Sequence, residues 1–143
     1  MIYLAYGSNL NKQQMKFRCP KAKSRGFIML PDYKMVFRGV ADMIPYRGDY
    51  CPVGIWEITE DCEIALDRYE GFPKLYRKEY FINNDTDEIM MAYVMNTSGF
   101  YMPSKDYFKT IEQGYKDFNI PKNSLFDSLN WTKEREQEIS YSA

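Results

Sequence analysis

There is no histidine anywhere in the 143 residues. That removes Ser-His-Asp and Cys-His nucleophile systems and every metal design that depends on imidazole. Any acid–base catalyst must then be Glu, Asp, Lys, Tyr or Cys. Cysteine is scarce: Cys19, Cys51 and Cys62 are odd in number and widely spaced. No CxxC occurs, so neither a zinc ribbon nor a redox motif is written here, and no metal is expected. A reducing cytoplasm is the expected setting. The chain opens on Met1-Ile2-Tyr3-Leu4-Ala5 without a basic-then-apolar leader. No apolar run approaches the ~20 residues that a membrane span requires, so no membrane partner is expected. Neither basic nor acidic residues are in excess: the formal net charge is −1. A protein that tracks nucleic-acid phosphates needs a basic face, so no nucleic-acid partner is expected either.

What is present is a globular balance, 45% hydrophobic and 27% charged. The length suits one domain, which at this size buries roughly 70% of its unfolded surface without staples. Aromatics reach 17%, with 13 tyrosines, which suggests walls of rings carrying polar tips. The nine methionines read as adaptable core filling.

Along the chain, residues 2–6 read as a strand that ends in the turn cluster Gly7-Ser8-Asn9. Residues 11–18 read as a helix, with Asn11 as N-cap and Gln14 completing a capping box. Residues 25–30 and 34–38 are strand-like around a Pro31-Asp32 turn, and 42–52 reads as a loop rich in Pro, Gly and Asp. A strand at 53–58 leads to Thr59, which caps the clearest helix. Glu60 and Asp61 place negative charge on its first turn, and Cys62, Ala65, Leu66 and Tyr69 form its apolar stripe. Gly71 occupies the C-terminal cap position and Pro73 prevents continuation. Residues 76–82 and 89–95 read as a hairpin. Ser104 caps a second helix whose stripe is Phe108, Ile111, Tyr115 and Phe118. A shorter helix at 124–129 follows Pro121. The domain is drawn at 1–130 and residues 131–143 as a C-terminal tail, in which the charged, then small, residues 132–143 read as a frayed helix. The class is α+β, a small, mostly antiparallel barrel-like sheet with flanking helices.

Three constellations could carry chemistry. Tyr6-Gly7-Ser8-Asn9 lies between a strand and a helix, where a glycine lets backbone N–H groups approach an anion. An ordinary turn uses the same residues, and spacing alone favours that reading. Glu70 falls four residues after Leu66, near the buried stripe, in the last turn where the helix dipole disfavours its charge. Partial burial would also raise its pKa, as a glutamate base near neutral pH requires. A boundary glutamate paired with Arg or Lys answers the same pattern equally well. Tyr107, in the first turn of its helix, could face a pocket or fill the core. Arg38 could pin a ligand carboxylate bidentately, or pair with Asp42.

Taken in order, these segments resemble a known family. Tyr3-Leu4-Ala5-Tyr6-Gly7-Ser8-Asn9 is similar to the opening signature of the γ-glutamylcyclotransferases and the wider AIG2-like group. Leu66-Asp67-Arg68-Tyr69-Glu70-Gly71 resembles the family's LDxxEG segment, and Pro103-Ser104-Lys105-Asp106-Tyr107 its PSxxY segment. The resemblance implies a small β-barrel with flanking helices and release of 5-oxoproline from a γ-glutamyl amine or γ-glutamyl amino acid. It implies Glu70 as the acid–base, a substrate loop spanning Tyr3, Tyr6, Gly7, Ser8 and Asn9, and Tyr107 as a pocket tyrosine. No cofactor is implied, since the substrate's own α-amine attacks its γ-carbonyl. Gly71-Phe72-Pro73-Lys74-Leu75-Tyr76 departs from the glutathione-pathway enzymes in being one residue shorter. A hydrolase or acyltransferase on another acylated amine, or a non-catalytic binder of a metabolite or partner, shares the same fold expectation.

Overall fold

Residues 2–5 are buried at every position, so this strand needs cover on both faces and a neighbour on each edge. In the computed structural model, which describes residues 1–142 and the side chains of 1–136, it lies at the centre of a sheet. This strand, β1 (Ile2–Ala5), pairs antiparallel with β3 (Val40–Glu57) and parallel with β5 (Ile89–Met95). Outside them lie β2 (Lys23–Arg38) beside β3, and β4 (Tyr76–Ile82) beside β5, giving the order β2-β3-β1-β5-β4. The α+β class stands. The two end strands are not joined in that order, so the sheet is open and "barrel" fits it only loosely.

The helices follow their caps. Asn11 accepts from the Gln14 backbone N–H at 3.0 Å and starts α1 (Lys12–Arg18). The Gln14 side chain does not complete a box; its Oε1 accepts from Arg18 instead. Thr59 caps α2 (Glu60–Glu70), and Gly71 ends it in the left-handed region at φ 65°. The expected stripe of α2 is only half right: Cys62 and Leu66 are buried, whereas Tyr69 is 47% exposed. Ser104 caps α3 (Lys105–Asp117). That helix is tied to the start of α1 by Asn11 Nδ2 donating to the Thr110 carbonyl and by Lys12 N–H donating to Asp117.

Three expectations need correcting. The Pro31-Asp32 turn and the 42–52 loop are absorbed into two long strands that pair with each other from Lys23↔Glu57 to Arg38↔Val40. A register shift between Pro31 and Tyr33, with Asp32 at φ 61°, swallows the turn dipeptide as a bulge. Pro45 sits opposite Tyr33, where β3 has β2 as its one partner strand and proline is tolerated. Second, the helix placed at 124–129 is α4 (Asn123–Ser142), which crosses the boundary drawn at residue 130. Thr132 is fully buried and accepts from the Phe37 N–H at 3.1 Å, and Trp131 meets Phe100 edge-on, so residues 131 and 132 are not tail. The expectation for residue 143 lies outside the described residues. Third, Cys19 and Cys62, widely spaced and given no pairing by the sequence, are disulfide-bonded, with Cα atoms 5.1 Å apart, where α1 meets α2. Cys51 is free and buried. Among the described residues no helix is long and apolar enough to cross a membrane.

Candidate active site

The end of β1 delivers the chain into a 3-10 turn at Ser8–Leu10, whose N-terminal end has no side-chain cap. Gly7 and Ser8 keep their amide N–H groups without a backbone acceptor among the described residues. Gly7 is at φ −120°, ordinary for any residue, so its freedom is not the reason for a glycine. Space is: an added Cβ would stand 2.9 Å from the Ala41 Cβ and 3.4 Å from the Tyr107 hydroxyl. That close approach narrows one wall of a cavity of about 140 Å³.

The cavity gathers most of the residues singled out from sequence: Tyr3, Tyr6, Gly7, Ser8, Asn9, Glu70 and Tyr107 all line it. Arg38 does not. Its Nε donates to Asp42 at 2.8 Å and its Nη1 to the Gly99 carbonyl at 2.8 Å, while its guanidinium lies over the Phe100 ring. Asp42 in turn accepts from the Met95 N–H, so the pair staples strands and is not a ligand clamp.

Sequence reasoning missed Tyr76 and Tyr93, which stand on β4 and β5 and complete the ring of tyrosines. They were read as plain strand residues because alternation says which face a side chain takes, not what that face covers. The peptide of Ala41 organises two of the rings. Its N–H donates to the Tyr107 hydroxyl at 2.9 Å, and its carbonyl accepts from the Tyr76 hydroxyl at 2.9 Å. The Tyr6 hydroxyl donates to the Tyr93 carbonyl at 2.6 Å. Burial pushes the phenols of Tyr3, Tyr6, Tyr76 and Tyr107 above their ordinary range, so they act as neutral hydrogen-bonding groups.

Glu70 is the one carboxylate on the cavity wall, and no cation joins it there among the described residues. It is half-buried in the last turn of α2, and its Oε1 accepts from Asn9 Nδ2 at 3.3 Å. Burial pushes its carboxyl up to about 7, against a lowering by the Arg18 guanidinium behind Asn9. At neutral pH the group is therefore divided between acid and base forms, the condition for moving a proton in both directions. The described residues contain no cluster of His, Cys, Asp and Glu suited to a metal.

A family model described as "Gamma-glutamyl cyclotransferase, AIG2-like" matches residues 3–115, a span that contains this entire cavity wall. The chain belongs to that family. A γ-glutamylcyclotransferase from Bos taurus is 26% identical over 136 residues, covering 84% of this chain and 72% of the bovine one. Among solved structures, a γ-glutamyl cyclotransferase superposes with a TM-score of 0.76 at 22% identity, over 95% of this chain and 86% of its own. An uncharacterized protein from Homo sapiens gives 0.75 at 22% identity, over 94% and 85%. At those identities the structural likeness speaks for the fold. The γ-glutamylcyclotransferase-like segments named from sequence, 3–9, 66–71 and 103–107, all fall within the matched span.

Proposed function

We propose that the chain is an enzyme of γ-glutamylcyclotransferase type, which releases 5-oxoproline from a γ-glutamyl amine or γ-glutamyl amino acid with Glu70 as general acid and base. One observation carries the reading: a carboxyl poised at about 7 is, among the described residues, the sole charged side chain on a tyrosine-walled cavity. The chemistry asks for little more. The substrate's α-amine, freed of its proton by Glu70, attacks its own γ-carbonyl carbon. Glu70 returns that proton to the leaving nitrogen as its C–N bond breaks. It then takes the extra proton from the ring nitrogen, which has carried a positive charge since its attack, and passes it to the departing amine. The products are 5-oxoproline and a free amine, with no protein nucleophile and no water consumed. Holding the glutamyl part folded for ring closure can contribute roughly 7–11 kcal/mol of the barrier through effective molarity. The Gly7 and Ser8 amides suit the substrate's α-carboxylate or the developing oxyanion. Family membership and the name of the bovine relative support the reaction type.

The test is a panel of γ-glutamyl compounds, each with its N-acetyl counterpart, followed by mass spectrometry in 18O-labelled water. Unlabelled 5-oxoproline from the free-amine compounds alone is the expected result, because acetylation ties up the lone pair with which the nitrogen would attack. Glutamate carrying solvent oxygen would instead mean hydrolysis, and would overturn the cyclisation.

A further inference from the structure

A side-chain amide has an oxygen end and a nitrogen end of nearly equal shape, and which end faces a carboxylate decides between attraction and repulsion. Asn9 meets this choice beside Glu70. It is almost fully buried, and every polar atom of its side chain is engaged. Nδ2 donates to the Tyr3 hydroxyl at 2.9 Å and to Glu70 Oε1 at 3.3 Å, while Oδ1 accepts from Arg18 Nη1 at 2.7 Å. A guanidinium carries donors and no acceptor, so it can satisfy only the oxygen end of the amide. The turned-over amide would set its nitrogen against Arg18 and its oxygen against Glu70, two repulsions at once.

Arg18 is itself held in place. Its Nη2 donates to Gln14 Oε1 at 3.0 Å, and its guanidinium lies 3.6 Å from the centre of the Tyr69 ring. A planar fork occupied on two sides and stacked on a third is a fixed object, which a lysine ammonium would not reproduce. Arg18 does not line the cavity, so its effect on the chemistry must pass through Asn9 and through its charge.

We propose that Arg18 is the positioning residue of this site: by holding the oxygen of the Asn9 amide it presents the amide nitrogen to Glu70 and favours the ionised carboxylate. The inference rests on Glu70 being the acid–base group. The titratable groups that share the cavity wall with the carboxyl are Tyr3 and Tyr6 from β1 and its end, Tyr69 from α2, Tyr76 from β4, Tyr93 from β5 and Tyr107 from α3. Asp42 of β3 stands close enough to be felt by Tyr6 and Tyr76. Arg18 is the cation near them and opposes the upward push of burial on Glu70. Losing it removes both the charge and the reason for the amide's orientation.

The experiment titrates the carboxyl directly. Protein labelled with 13C at glutamate side-chain carboxyls shows one resonance that vanishes in Glu70→Gln, and its shift is followed against pH. In the unaltered chain the midpoint is expected at about 7. Arg18→Met, which keeps the stem against Tyr69, should raise it by about one pH unit, a tenfold change in the protonation equilibrium. Arg18→Gln, neutral but polar, is the second variant should the first not fold, and the same upward direction is expected. The rising limb of kcat against pH should move by the same amount, with KM little altered. An unmoved midpoint in a folded variant overturns the proposal, since a merely structural arginine would lower stability without shifting the titration. A raised midpoint in a chain that releases no 5-oxoproline would leave Arg18 assigned and defeat the proposed reaction instead.

Discussion

At the level of single residues, Glu70 shows how one side chain can be a cost to the fold and an asset to the site. Its carboxyl titrates at about 7 in the folded chain and near 4.5 when exposed. Between those values the folded state keeps a proton that the unfolded state has released. The stabilising contribution is therefore complete below about 4.5 and is lost as pH rises through 7. Glu70→Gln never ionises, so its stability advantage over the unaltered chain should grow from pH 4.5 to 7 and level off above. The plateau should be on the order of 3 kcal/mol, read from urea unfolding at a series of pH values. The same variant should lose turnover by ~10²–10⁴-fold, the usual worth of a positioned acid–base group. A folded variant with unaltered rates and no pH-dependent gain would remove Glu70 from the mechanism. In the sequence, its helix position and its place beside the buried stripe leave Glu70 even with a boundary glutamate, and the resemblance of residues 66–71 to the LDxxEG segment is what singles it out. Arg18 escaped notice because a solvated arginine in the last turn of a helix looks the same in sequence as one that reaches back to a buried amide.

Elements differed in how openly they declared themselves. α2 and α3 were readable from their ends, since Thr59, Gly71 and Ser104 each satisfy a backbone need that few residues meet. The β2–β3 ribbon was not, because Pro31, Pro45 and Pro52 punctuate it and local reading takes each as a stop. What overrides them is long-range pairing, with Met29↔Pro52 and Tyr33↔Pro45 held in register by neighbours on both sides. α4 was cut short because its polar residues hide the burial of Leu125, Ser128 and Thr132 along one side. The Cys19–Cys62 bond was hidden by its sequence separation of 43, which only the meeting of α1 and α2 closes. Tying off a loop of that length restricts the unfolded chain by about 4 kcal/mol in the entropic account. Reduction, or Cys19→Ser with Cys62→Ser, is thus expected to cost about 2–4 kcal/mol in urea unfolding. Equal midpoints with and without reductant would show that the bond carries no stability.

Over the whole molecule, the cavity draws its walls from Tyr3 at one end of the matched span and Tyr107 near the other, with Val40, Glu70 and Tyr93 between. No single element contains even half of it, and β1 completes its pairing only when β5 arrives from residues 90–91. A partly folded chain therefore has nothing to offer a ligand, and a ligand has nothing to gain from any state but the finished one. Occupancy then acts on the entire fold. At a concentration 100 times its Kd, a small molecule seated here should add about 2.7 kcal/mol of stability. Thermal melts with rising 5-oxoproline or a γ-glutamyl amine should move upward with the logarithm of concentration, and a flat response would mean the cavity is not the binding place. On the proposed function, the same geometry would turn a small metabolite into a clasp across the chain: when its supply fell, the protein would lose both its work and part of its hold on its own shape.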